Sequence, residues 1–146
     1  MDRRTFFQFI KFCIVGVINT AVDWLVFFIL CFFPFFKLFE SLAKALSFVV
    51  AATNSFILNS LWTFEKEFKE GMEEAESKVV KGSIYYGKFI LVSIIGFFIN
   101  IGVFTISRNY LFVGESDWMR LFSLALASFL VMIWNFFANK WWTYKE

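Results

Sequence analysis

Apolar residues in this chain are gathered into four long runs, at residues 6–33, 38–61, 84–112 and 118–142, and polar residues are concentrated between them. At a helical rise of about 1.5 Å, roughly twenty apolar residues cross a hydrocarbon core of about 30 Å, so each run predicts a transmembrane helix. Pro34 and Lys37 mark a short turn between the first two runs, and Gly114, Glu115, Ser116 and Asp117 mark one between the last two. Short connections join antiparallel neighbours, which pairs the runs into two helical hairpins. The N-terminal run is too long for the apolar core of a secretory signal and no small-x-small cleavage site follows it, so it is read as the first helix. Residues 65–83 turn abruptly to Glu, Lys and Gly, which reads as a solvated connector with a short helix near residues 73–80. The expected organisation is one transmembrane domain: repeat one over 1–64, the connector over 65–83, and repeat two over 84–146.

Polar residues inside the runs are placed at helical spacing. Gly16, Asn19, Thr20 and Asp23 fall toward one face of the first helix, which is expected to point inward. A carboxylate near the bilayer centre costs about 2.5–3.5 kcal/mol on insertion scales, which makes Asp23 a functional-site candidate. Ser47, Ala51, Asn54, Ser55 and Asn59 form a small, polar seam on the second helix, expected to pack against the first. Ser93, Gly96, Asn100 and Ser107 mark a face of the third helix, and Ser128, Asn135 and Asn139 a face of the fourth.

Composition narrows the function classes. The 146 residues are 60% hydrophobic, with a mean hydropathy of +0.68, which excludes an ordinary soluble domain and leaves no length for one beside the membrane part. A net charge of +2 without a basic stripe excludes nucleic acid as partner. With no His and two Cys, the usual zinc, haem and Cys/His nucleophile sites are absent, and no cofactor is expected. Cys13 and Cys31 stand about 27 Å apart along one helix and are read as free thiols.

Lys and Arg are distributed unevenly about the helix ends. Ten (Arg3, Arg4, Lys11, Lys66, Lys69, Lys78, Lys81, Lys88, Lys140 and Lys145) belong to the side with the termini and connector; four (Lys37, Lys44, Arg108 and Arg120) belong to the other. The richer side is expected to be cytoplasmic, with both termini and the connector there. Trp62, Tyr85, Tyr86, Trp141, Trp142 and Tyr144 would then form an aromatic belt at that interface.

The two hairpins also resemble each other. Lys11-Phe12-Cys13-Ile14-Val15-Gly16 aligns with Lys88-Phe89-Ile90-Leu91-Val92-Ser93, which places Asn19 opposite Gly96 and Asp23 opposite Asn100. Phe56-Ile57-Leu58-Asn59-Ser60-Leu61-Trp62-Thr63-Phe64 aligns with Phe136-Phe137-Ala138-Asn139-Lys140-Trp141-Trp142-Thr143-Tyr144. Each repeat has two helices and begins on the same side, so parallel topology about an axis near the membrane normal is expected.

The stretch Phe-Ile-Lys-Phe-x-x-Val-Gly-x-x-Asn-Thr-x-x-Asp at residues 9–23, the Asn-x-x-Trp-Thr-Phe exit at 59–64, and the duplication of both resemble the GtrA-like family across essentially the whole chain. That resemblance implies an all-α, four-helix integral membrane protein of the cell membrane, active in cell-envelope polysaccharide synthesis, whose relatives are proposed to move polyprenyl-phosphate sugars (undecaprenyl phosphate carriers) across the bilayer. Other relatives form the membrane part of polyprenyl-phosphate glycosyltransferases. With no transferase segment in these residues, the expected carry-over is a flippase or flippase subunit and not an enzyme. A lipid-linked sugar phosphate offers an anionic phosphate, a polar sugar and an isoprenoid tail. Lys11, Lys88 and Lys140 are expected to meet the phosphate at headgroup depth, and Asn19, Asp23, Asn59, Asn100 and Asn139 the sugar. The Phe-rich faces suit the tail, but 24 Phe would line any membrane protein.

Two other functions fit the same pattern: a non-catalytic subunit that anchors a membrane glycosyltransferase, and a small proton-coupled exporter built around Asp23. The uneven Lys/Arg distribution and the duplication weigh against the exporter. A bundle of four helices has little room for a sugar inside, so a homo-oligomer is expected.

Overall fold

The computed structural model describes residues 2–111 and 117–145. Among the described residues six α-helices follow in order: α1 Arg3–Cys31, α2 Pro34–Leu38, α3 Glu40–Leu58, α4 Glu65–Glu73, α5 Lys78–Ile106 and α6 Asp117–Ala138. Helices α3, α5 and α6 each run on into one turn of π-helix, at Asn59–Thr63, Ser107–Leu111 and Asn139–Thr143. No strand occurs among the described residues. Counting the π turns, four helical stretches among the described residues, of 29, 24, 34 and 26 residues, are long and apolar enough to cross a membrane. The all-α, four-span architecture is therefore as the apolar runs predict. The expected turn at Gly114, Glu115 and Ser116 lies outside the described residues.

The chain divides into two compact units between Glu70 and Gly71. In the first, α1 packs along α3. Burial of apolar surface does not hold helices together in lipid, where close backbone approach and interhelical hydrogen bonds do so instead. Accordingly α3 buries Ala43, Ser47 and Ala51, four residues apart on the side toward α1, and α1 buries Val15. In the second, α5 packs along α6 by the same means: Ser123 and Ala127 of α6 are fully buried, as is Val92 of α5. There the Trp134 indole N–H donates to the Val92 carbonyl at 3.2 Å.

Several local expectations are corrected. The turn after α1 contains a short helix, because Pro34 lacks an N–H and has a fixed φ, both suited to the first position of α2. On α1, Gly16 and Thr20 face outward, with Thr20 donating to the Gly16 carbonyl at 3.1 Å. Val15 takes the contact that Gly16 was expected to make. On α6, Ser128 is exposed and its neighbour Ala127 is the buried residue. Tyr85 and Tyr144 are buried and stacked on each other, with centroids 5.8 Å apart, so these two rings face protein. Cys13 and Cys31 are free thiols, as expected.

The connector is more ordered than a wet loop. Its helix lies at Glu65–Glu73, earlier than the expected 73–80, where Lys69 pairs with Glu65 at 2.6 Å and Lys66 with Glu70 at 3.6 Å, both at i,i+4 spacing. Its inner face docks on the first unit. Glu67 accepts from Gln8 and from Arg4, both at 2.9 Å, and Phe68 packs edge-on against Phe56.

Candidate functional site

The last four carbonyls of any helix lack intrahelical partners, and the helix C-terminus carries partial negative charge. In the first unit α3 ends in the π turn Asn59–Thr63, closed by a bond from the Phe64 N–H to the Asn59 carbonyl at 2.8 Å. Asn59 is buried, and its side-chain amide donates to the Ser55 carbonyl at 2.8 Å. The turn delivers the Trp62 carbonyl to the flank of α1. There the Lys11 ammonium donates to it at 3.2 Å and lies 5.4 Å from the centre of the Trp62 ring. Below this clasp Phe64 is fully buried, edge-on to Phe12.

The second unit builds the same device. The Tyr144 N–H closes the π turn on the Asn139 carbonyl at 2.9 Å, and the buried Asn139 amide donates to the Asn135 carbonyl at 2.7 Å. Lys88 donates to the Trp142 carbonyl at 3.2 Å, 5.7 Å from the Trp142 ring. An ammonium has three donors, and this bond uses one. In each unit the lysine is thus fixed in direction over an aromatic ring, with donors left to aim at an anion.

Each clasp borders a different cavity. In the first unit Lys11 and Trp62 share a pocket of about 330 Å³ with Arg4, Phe7, Gln8, Glu65 and Glu67, a lining of charged and amide groups on a partly apolar wall. In the second unit Trp142 lines an apolar groove of about 570 Å³ with Val92, Ile133, Trp134, Phe137 and Trp141.

The remaining candidates are strung along the helices and do not converge in one pocket. Asp23 lies 12 residues from Lys11 on α1, about 18 Å at the helical rise. Its carboxylate is held by α3: Ser47 donates to one oxygen at 2.7 Å and Lys44 to the other. Asn19 is half-buried between these levels. Its Oδ1 is enclosed with no hydrogen-bond partner, as is Nδ2 of Asn54. The antiparallel register set by Lys11 with Trp62 and Asp23 with Ser47 puts these two amides at similar depth. In the second unit Asn100 is half-buried on α5 and Lys140 is half-buried within the π turn.

Sequence reasoning missed Lys44 and Ser47 as the partners of Asp23, and it missed the tryptophan carbonyls. A signal for the first was present, since an acid inside a membrane pairs with a cation on a neighbouring helix and Lys44 is the cation the second run offers. The carbonyls belong to every residue alike and leave no such signal.

A family model described as GtrA/DPMS, transmembrane domain, matches residues 11–144. No curated protein and no solved structure matches the chain.

Proposed function

Because the chain belongs to the GtrA/DPMS transmembrane-domain family, a family of multi-pass proteins of the cell membrane, we propose that it is a flippase, or the membrane subunit of one, for a polyprenyl-phosphate-linked sugar. The observation that carries this reading is the lysine held over a tryptophan ring at a helix end, built twice from the same residues. A lipid phosphate needs a directed cation at headgroup depth, and Lys11 and Lys88 supply one in each repeat. The polar pocket beside Lys11 suits a sugar, and the apolar groove beside Trp142 suits an isoprenoid segment. Asn59 and Asn139 shape the π turns that aim the tryptophan carbonyls and act on the ligand only through them. Asn19 and Asn100 lie deeper, along the path a sugar would take, and Lys140 adds charge beside the second clasp. Both termini and α4 face the cytoplasm in this reading, and the working form is a homo-oligomer.

Native mass spectrometry of the protein gently extracted from its membrane tests this. A polyprenyl phosphate, or its glycosylated form, is expected to co-purify with the unaltered chain and to be depleted at least about tenfold in the Lys11→Ala/Lys88→Ala variant. Recovery of bulk phospholipid alone overturns the reading. If a glycosyltransferase polypeptide is retained in its place, the chain is the anchoring subunit.

A further inference from the structure

The first unit holds an ion pair within its membrane-spanning length that the repeat does not reproduce. Asp23 aligns with Asn100, Lys44 with Leu124 and Ser47 with Ala127, so the second copy carries neither charge at these positions. The two partners are also held unequally. Ser47 is fully buried and the Asp23 side chain is only 18% exposed, while the Lys44 side chain is 55% exposed. The acid is fixed from behind by a hydroxyl, and the cation stands open. One of its three donors serves Asp23, and it lies 6.0 Å from the Phe27 ring, an ammonium over an aromatic face as at Lys11. The separation of about 18 Å along α1 is more than half of a hydrocarbon core of about 30 Å. Lys44 lies one turn into α3 and Lys11 bonds to the π turn that ends the same helix, so the two lysines stand toward opposite ends of one hairpin.

We propose that Lys44 is a second phosphate station: it exchanges Asp23 for the phosphate of a membrane lipid at the end of the hairpin away from Lys11, and Asp23 takes the ammonium back when the lipid leaves. The hydroxyl of Ser47 keeps the carboxylate bonded while the lysine is away, which lowers the cost of leaving a charge unpaired in low dielectric. Asp23 is thus a competitor of the ligand. The inference rests on the flippase reading for the identity of the lipid, and on the ion pair alone for the chemistry.

Asp23→Asn separates this role from a structural one, because it must strengthen anion binding. The full chain carrying Lys11→Ala and Lys88→Ala is placed in phosphatidylcholine nanodiscs doped with either a polyprenyl phosphate or phosphatidylglycerol, and bound lipid is counted by native mass spectrometry. Adding Asp23→Asn is expected to tighten binding about fivefold, the effect of removing an anion that competes for the same ammonium. Adding Lys44→Met should abolish the binding, Lys44→Arg should keep it, and Lys44→Met with Asp23→Asn, which leaves no charge unpaired, should also abolish it. Unchanged or weaker binding with Asp23→Asn overturns the proposal and makes the pair a fixed interhelical tie. A gain confined to the polyprenyl phosphate assigns the station to the carrier lipid; an equal gain with phosphatidylglycerol assigns it to anionic headgroups in general. If the chain with Lys11 and Lys88 intact binds no polyprenyl phosphate, the flippase reading fails, and the phosphatidylglycerol arm still decides the station.

Discussion

Gly16 and Gly96 show how much a single position depends on the face it occupies. A Cβ at Gly96 would come within 2.7 Å of Asn135 Oδ1 and 3.3 Å of its Cγ, while one at Gly16 would meet nothing within 4 Å. Gly96→Ala is therefore expected to destabilise by about 1–2 kcal/mol. Gly16→Ala should be neutral or stabilising by up to about 1 kcal/mol, since alanine is the better helix former. Thermal unfolding of both variants in one detergent compares them directly. The two π turns that open on asparagine allow a second contrast. Thr143 donates to Asn139 Oδ1 at 2.9 Å, but in the first unit Thr63 Oγ1 and Asn59 Oδ1 are both buried without a partner. Thr143→Val should cost about 1 kcal/mol, and Thr63→Val, which removes an unsatisfied hydroxyl of the same shape, should cost little or raise the melting temperature.

At the scale of the element, each hairpin depends on the narrow stripe that lets its helices meet. Ala51→Leu would wedge a large side chain into the α1/α3 contact and should cost about 1–3 kcal/mol, measured by unfolding. The short helix α4 depends on charge instead. Lys69 beside Glu65 holds that carboxyl below its ordinary value, through a hydrogen bond first and through charge second. A depressed carboxyl stabilises the folded helix fully above its unfolded value, and this stabilisation is lost as pH falls through the depressed one. Amides of α4 should therefore lose hydrogen-exchange protection on acidification, and Lys69→Gln should reduce that pH dependence.

The helices themselves were legible in the sequence because runs of twenty apolar residues have few other readings. The α3 seam was legible too, since Ser47, Ala51 and Asn59 are the small and polar members of their run. Facing was harder: Gly16 and Val15 differ by one helical step, and composition does not fix which of the two meets α3. The π turns were invisible, because widening a turn by one residue changes a backbone bond and no side chain. The lysine clasps depend on those turns, so sequence supplied their residues without their partners.

For the whole molecule, the proposed reading puts both termini on one side of the bilayer, and the excess of Lys and Arg near that side makes the cytoplasm the expected one. Single cysteines introduced after Met1 and before Glu146, in a chain with Cys13 and Cys31 replaced by alanine, should resist an impermeant maleimide in intact cells and react after permeabilisation. Labelling of either in intact cells would reverse the assignment.

The π turn also dates the molecule. Turns of this kind are rare, yet each hairpin has one that opens on an asparagine and closes, five residues later, on the N–H of a buried aromatic residue. One insertion inherited by both copies explains this more simply than two made independently at the same offset. Common descent of the two hairpins would put the extra residue before their duplication, and would make the Asp23–Lys44 pair, carried by one copy only, a difference acquired after it.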